Sequence, residues 1–138
     1  MSYILDFLIE FGAETYPQSN TETLDFEHKW LSFFANNVKL RYGVYVYEGF
    51  KWHGFSLGLQ SCVEGERAIN TYKGQWPSKY IIFEEQMKES FLCYSDKYPD
   101  LSSLSLDVYV SHANLKWTMV FTHEQPVIGP FFAMRHNQ

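Results

Sequence analysis

LDVYVSHANLKWTMVFTHEQPVIGPFFAM, residues 106–134, is the stretch on which the fold turns. Two runs rich in β-branched and aromatic residues, Leu106–Ser111 and Leu115–Thr122, flank Ala113-Asn114, a pair suited to a tight antiparallel turn. In the second run Leu115, Trp117, Met119 and Phe121 alternate with Lys116, Thr118, Val120 and Thr122, so the two sets leave opposite faces of a strand. Gly129-Pro130 then turns the chain into a third run, about Pro130–Met134, with proline at a strand start where no donor is needed. Three strands joined by short turns predict an antiparallel sheet.

Outward from this stretch, the pattern adds strands and then helices. Tyr80–Phe83 is a short apolar strand after Pro77, and Arg41–Tyr47 with Lys51–Leu57 forms a hairpin around Glu48-Gly49. Residues 2–14 place Ile4, Leu5, Leu8 and Phe11 at helical spacing, and Pro17 ends that element. Ser19 and Glu22 have capping-box spacing and open a second helix, Asn20–Asn37, whose stripe is Leu24, Leu31 and Phe34 with Trp30 and Phe33. Val63–Lys73 reads as a helix with Ala68, Ile69 and Tyr72 on one face and Gly74 as its stop. Gln86–Tyr94 reads as one or two helical turns. The expectation is an α+β domain, 1–138. It has a mainly antiparallel sheet of five or six strands, with two N-terminal helices and one or two further helices packed on one face.

The 138 residues are 46% apolar and 19% aromatic, enough to build a core without disulfides or metal. Cys62 and Cys93 lack the spacing of a metal or redox motif, which predicts reduced thiols. No secretory signal or membrane-length apolar run stands out, because Asp6 and Glu10 interrupt the first apolar segment. A cytoplasmic protein without membrane contact is expected.

Charge is unevenly spread. Of the net −5, all falls on residues 1–30, where Asp6, Glu10, Glu14, Glu22, Asp25 and Glu27 face Lys29 alone. The other ten acids and ten bases cancel. Such a layout argues against direct nucleic-acid binding and suits a basic protein partner steered by carboxylates.

Catalytic chemistry finds little support. His53, His123 and Glu124 would make a zinc site or a small hydrolytic centre only if their strands were neighbours, and no HExxH occurs. Glu48, Glu64, Asp107 and Glu124 lie near strand ends, but no spacing singles out an acid–base pair. Gly54-Phe55-Ser56-Leu57-Gly58 satisfies the letters of a nucleophile elbow, in a chain too short for the parallel sheet that elbow requires. No phosphate-binding glycine motif is present, so no cofactor is expected. His123 is read as bracing a corner by hydrogen bonds to nearby backbone, with Glu124 fixing its tautomer or accepting amide protons and His53 as a further member.

Trp52-His53-Gly54-Phe55-Ser56, Tyr80-Ile81-Ile82-Phe83, Asp107-Val108-Tyr109-Val110, Trp117-Thr118, Thr122-His123-Glu124 and Gly129-Pro130-Phe131-Phe132 occur in that order. This ordered set resembles a family of small bacterial proteins of unknown function, over roughly residues 50–132. In type alone, the acidic, aromatic-rich chain also resembles immunity proteins of contact-dependent inhibition toxin systems. That likeness implies a cognate basic toxin, a nuclease in the first instance, bound and occluded by this chain as a monomer or weak dimer. Asp6, Glu10, Glu14, Glu22 and Asp25 are the expected contacts, with Tyr45 and Tyr47 as exposed aromatic ones. A housekeeping interaction domain remains the other alternative.

Overall fold

The computed structural model describes residues 3–34, 55, 61–86, 89–125 and 128–135. The hairpin expected over residues 41–57, with Tyr45, Tyr47 and His53, lies outside them apart from Phe55, which is helical and not in the expected strand.

In chain order the elements are α1 (Tyr3–Phe11), β1 (Glu14–Pro17), α2 (Asn20–Phe34), β2 (Val63–Glu64), α3 (Glu66–Lys73), β3 (Tyr80–Glu84), β4 (Ser90–Tyr94), β5 (Val108–His112), β6 (Trp117–Phe121) and β7 (Phe131–Met134). The strands form one sheet in the order β1-β4-β3-β5-β6-β7-β2. Every pairing is antiparallel. The α+β expectation holds, but its details do not. The described sheet has seven strands rather than five or six, and the helices cover both of its faces rather than one.

Three short strands account for the count. Glu14–Pro17 was obscured by its proline, Val63–Glu64 is only two residues long, and Ser90–Tyr94 follows a charged stretch with helical composition. The second difference has a packing cause. Every residue of β5 and β6 is buried, so both faces of these strands need cover and the usual apolar–polar alternation is lost.

One face carries Tyr80 and Ile82, Val108 and Val110, and Trp117, Met119 and Phe121, packed under Ile4 and Leu8 of α1 and Ala68 and Tyr72 of α3. The other carries Ile81, Phe83, Tyr109 and Val120, under Phe26, Trp30 and Phe34 of α2 together with Phe55. Trp30 is the anchor of this second layer. Its ring packs edge-on against Tyr109 and Phe83, which stack on each other at 4.9 Å, and its Nε1–H donates to Thr118 Oγ1 at 2.9 Å. Thr118 in turn meets Ser111 Oγ at 2.8 Å, so the buried hydroxyls are satisfied within the layer.

The start of α2 follows the predicted capping box. Glu22 N–H donates to Ser19 Oγ at 3.1 Å, and Ser19 N–H donates to Glu22 Oε1 at 2.9 Å. Its buried stripe is shifted from the expected one, to Thr23, Phe26, Trp30 and Phe34, leaving Leu24 and Phe33 exposed.

At one sheet edge, β1 pairs with β4 so that Gln18 N–H reaches Ser90 O, and the alternation turns Thr15 and Pro17 outward. Pro17 has no N–H to offer there. Gly129, at φ +84° before β7, is a position where a Cβ would come within 3.0 Å of Thr122. The close β6–β7 connection therefore requires glycine.

Candidate functional site: two oppositely charged sheet ends

Because neighbouring strands alternate in direction, loops distant in sequence collect at the two ends of the sheet. One end gathers Glu84 and Glu85 after β3, Glu89 before β4, Asp107 before β5, and His123 and Glu124 after β6. The N-terminus of α2, with Glu22, is tied to the same end by Gln18 N–H to Ser90 O and by a 2.7 Å contact between the Thr23 and Ser90 hydroxyls. The opposite end gathers Lys79 before β3, Lys97 after β4, Lys116 before β6 and Arg135 after β7, with Glu14 and Asp96 as its acids.

His123 sits at the carboxylate end. Its backbone N–H donates to Asp107 Oδ1 at 3.1 Å, and its Nδ1 lies 2.9 Å from both Asp107 oxygens, so Nδ1 carries the proton. Its Nε2 is 3.9 Å from Glu124 Oε1. The hydrogen bond to Asp107, followed by the charges of Asp107 and Glu124, raises the imidazole pKa above its usual range. Asp107 thus braces the corner, with Glu124 at longer range. Tyr109 donates its hydroxyl proton to Glu85 at this same end. Among the described residues, no three His, Cys, Asp or Glu side chains converge to hold a metal ion, and His53 lies outside them.

His112 at the basic end is the chemical opposite. Asn114 N–H donates to its Nδ1 at 2.9 Å, so the ring proton is on Nε2, 3.2 Å from Ser78 Oγ. Burial, then the nearby Lys116 and Arg135, pull its pKa below the usual range. Below about pH 6.5 the unfolded chain takes up a proton that the folded ring refuses, so this group costs stability as pH falls from that point toward its folded pKa. His123 works in the other direction, its stabilisation being complete below about pH 6.5 and lost as pH rises through its raised pKa. We expect His112→Gln to flatten the acid side of stability against pH, read from urea midpoints between about pH 5 and 7.

The five N-terminal carboxylates are all exposed. No ion pair joins any of them to another described residue. They do not share one plane, however. Asp6 and Glu10 lie on α1 over one face, Glu22 and Asp25 on α2 over the other, and Glu14 begins the edge strand between. A partner touching all five would have to wrap around β1, past the exposed Tyr16.

Two clefts of about 520 and 340 Å³ flank this corner and share Glu14 and Tyr94. The first is lined also by Phe11 and Lys97, the second by Tyr16 and Lys79. Cys62 and Cys93 are both free, and burial pushes their thiols up to about 11 and about 12, so neither supplies a thiolate near neutrality. No described helix is long and apolar enough to cross a membrane.

Charge was legible along the sequence only as a sum. Residues 31–138 balance to zero, yet the strand order sorts most of their described strand-boundary charges to opposite ends. The signal that could have found this is the spacing of charges at strand boundaries, where a meander alternates ends.

No curated protein and no solved structure gives a match to this chain. The sequence profile of a family described as a domain of unknown function, DUF4275, matches residues 19–132, and the chain belongs to that family.

Proposed function

We propose that the protein is an immunity or inhibitor protein that captures a basic toxin domain and occludes its active site. The supporting observation is the set of carboxylates on α2 and at the adjoining sheet end: exposed Glu22, Asp25 and Glu124 beside part-exposed Glu84 and Glu89. A nuclease domain carries cations to hold phosphates, and a carboxylate surface competes for those same groups. A predominantly acidic end also accelerates encounter, because the field orients the approaching cation before contact. No catalytic residue or cofactor is needed. On this reading α2 and the carboxylate end form the contact surface, and Asp6 and Glu10, over the other face, contribute only to the long-range field.

Candidate partners are basic C-terminal domains of large secreted proteins encoded beside this chain. Coexpression is expected to relieve growth arrest caused by the cognate domain. Glu22→Lys with Asp25→Lys should slow association by about tenfold and flatten its salt dependence, with a smaller effect from Asp6→Lys with Glu10→Lys. Growth arrest that the chain leaves untouched overturns the proposal. Equal effects from the two variant pairs would place the contact surface elsewhere.

A further inference from the structure

The basic end differs from the rest of the surface in one more respect. Trp76, in the loop between α3 and β3, is 89% exposed, while Trp30 and Trp117 are 1% and 3% exposed. Its backbone is nevertheless fixed. Tyr98, itself buried, donates its hydroxyl to Trp76 O at 2.6 Å, Gly74 N–H returns to Asn70 O at 3.1 Å, and Pro77 follows directly. The neighbouring loops are tied together as well. Ala113 N–H donates to Lys79 O at 3.0 Å, Arg135 N–H to Lys116 O at 2.9 Å, and Arg135 Nη1 to Asn114 O at 3.4 Å. The result is a preorganised end bearing a projecting indole, half-exposed Met134, part-exposed Tyr94, and the exposed cations Lys79, Lys97 and Lys116, while the part-buried Arg135 guanidinium lies over the Phe33 ring at 4.6 Å.

We propose that this end docks on an anionic lipid bilayer, with the Trp76 indole seated in the headgroup region and Lys79, Lys97 and Lys116 facing the lipid phosphates. Three observations favour a bilayer over a folded partner. The indole projects from a loop, and a lipid interface accepts such a ring without a matching pocket. The exposed cations come from three separate loops at one sheet end, so they present a broad cap and not a groove that would track a nucleic-acid backbone. Glu84, Glu85, Glu89, Asp107 and Glu124 sit at the far end, so an anionic surface would orient the molecule with that end toward solvent. Lys73 is held by Asp100 at 3.3 Å and belongs less to this cap, while Glu14 and Asp96 oppose it locally. Binding is therefore expected to be weak and reversible. The proposal stands independently of the inhibitor reading, since it concerns the other end of the sheet.

The test is co-sedimentation of the full chain with vesicles of phosphatidylcholine alone or with about one third phosphatidylglycerol, followed also by tryptophan emission. Binding is expected only to the anionic vesicles, with a blue shift, and should disappear as salt rises from about 0.01 M to about 1 M. Trp76→Ala should weaken it about tenfold and remove the blue shift. Each lysine contributes roughly fivefold, so Lys79→Glu with Lys116→Glu should weaken it at least about 25-fold. All three positions are exposed, so the variants should fold, which far-ultraviolet circular dichroism checks. No binding to anionic vesicles, or equal binding by the Trp76→Ala protein, overturns the proposal. So does tighter, Trp76-dependent binding to a thymidine oligonucleotide, which would assign the end to single-stranded nucleic acid.

Discussion

Replacing Trp30 by alanine is expected to lower the unfolding free energy by about 3–5 kcal/mol. The side chain is 1% exposed and touches Phe34, Phe55, Phe83 and Tyr109, so its removal leaves a void bounded by rings that cannot collapse into it together. It also deprives Thr118 Oγ1 of its donor inside the layer. Trp30→Phe separates the two contributions. It keeps most of the packing and loses the indole hydrogen bond, for which about 1 kcal/mol is expected. Urea denaturation followed by circular dichroism measures both. An alanine variant within about 1 kcal/mol of the parent would mean that α2 is not fastened through this ring.

The second large effect lies on the opposite face. Tyr72 fastens α3, with its ring against Tyr98, Trp117 and Phe121 and its hydroxyl donating to Pro99 O at 2.6 Å. It is fully buried, and burial pushes its phenol pKa well above the usual tyrosine value. Tyr72→Ala should again cost about 3–5 kcal/mol, a large-ring truncation in a closed layer. Tyr72→Phe should cost about 1–3 kcal/mol, since it strands the Pro99 carbonyl without its donor. The two sites are on different faces of β6 and share no partner, so their costs should add within about 0.5 kcal/mol. A combined loss of about 6–10 kcal/mol is comparable with the whole stability of an ordinary domain, typically about 5–15 kcal/mol. The double variant is expected not to fold.

These anchors also show which parts of the structure the sequence carried openly. The capping box at Ser19 and Glu22 is a local device, complete within four residues, and the structure forms it as the spacing predicts. The three C-terminal strands were equally legible, because Ala113-Asn114 and Gly129-Pro130 mark their turns. The buried side of α2 was not. Leu24, Phe26, Trp30, Leu31, Phe33 and Phe34 spread around much of the helix, so several stripes fit equally well. The choice among them falls to partners far along the chain, Ser90 for Thr23 and Thr118 for Trp30. Ser90–Tyr94 was mistaken for helix because its strand character lies in its pairing with β1 and β3, not in its own alternation. The site followed the same rule. His123 was recognised as a corner residue, but its carboxylate partner lies 16 residues away, where no spacing argument would reach. Lys79, Lys97, Lys116 and Arg135 are likewise unremarkable in sequence and become a cluster only when the meander brings their loops together.

Pro17 carries a consequence for how the sheet meets its surroundings. Along the outward side of β1, Thr15 is the one residue of the Thr15–Pro17 pair with an amide hydrogen to give, and at the far margin β2 offers just two residues. Among the described residues, a stray strand arriving at either border finds few hydrogen-bonding groups to zip onto, so templated aggregation is discouraged by covalent structure as well as by charge.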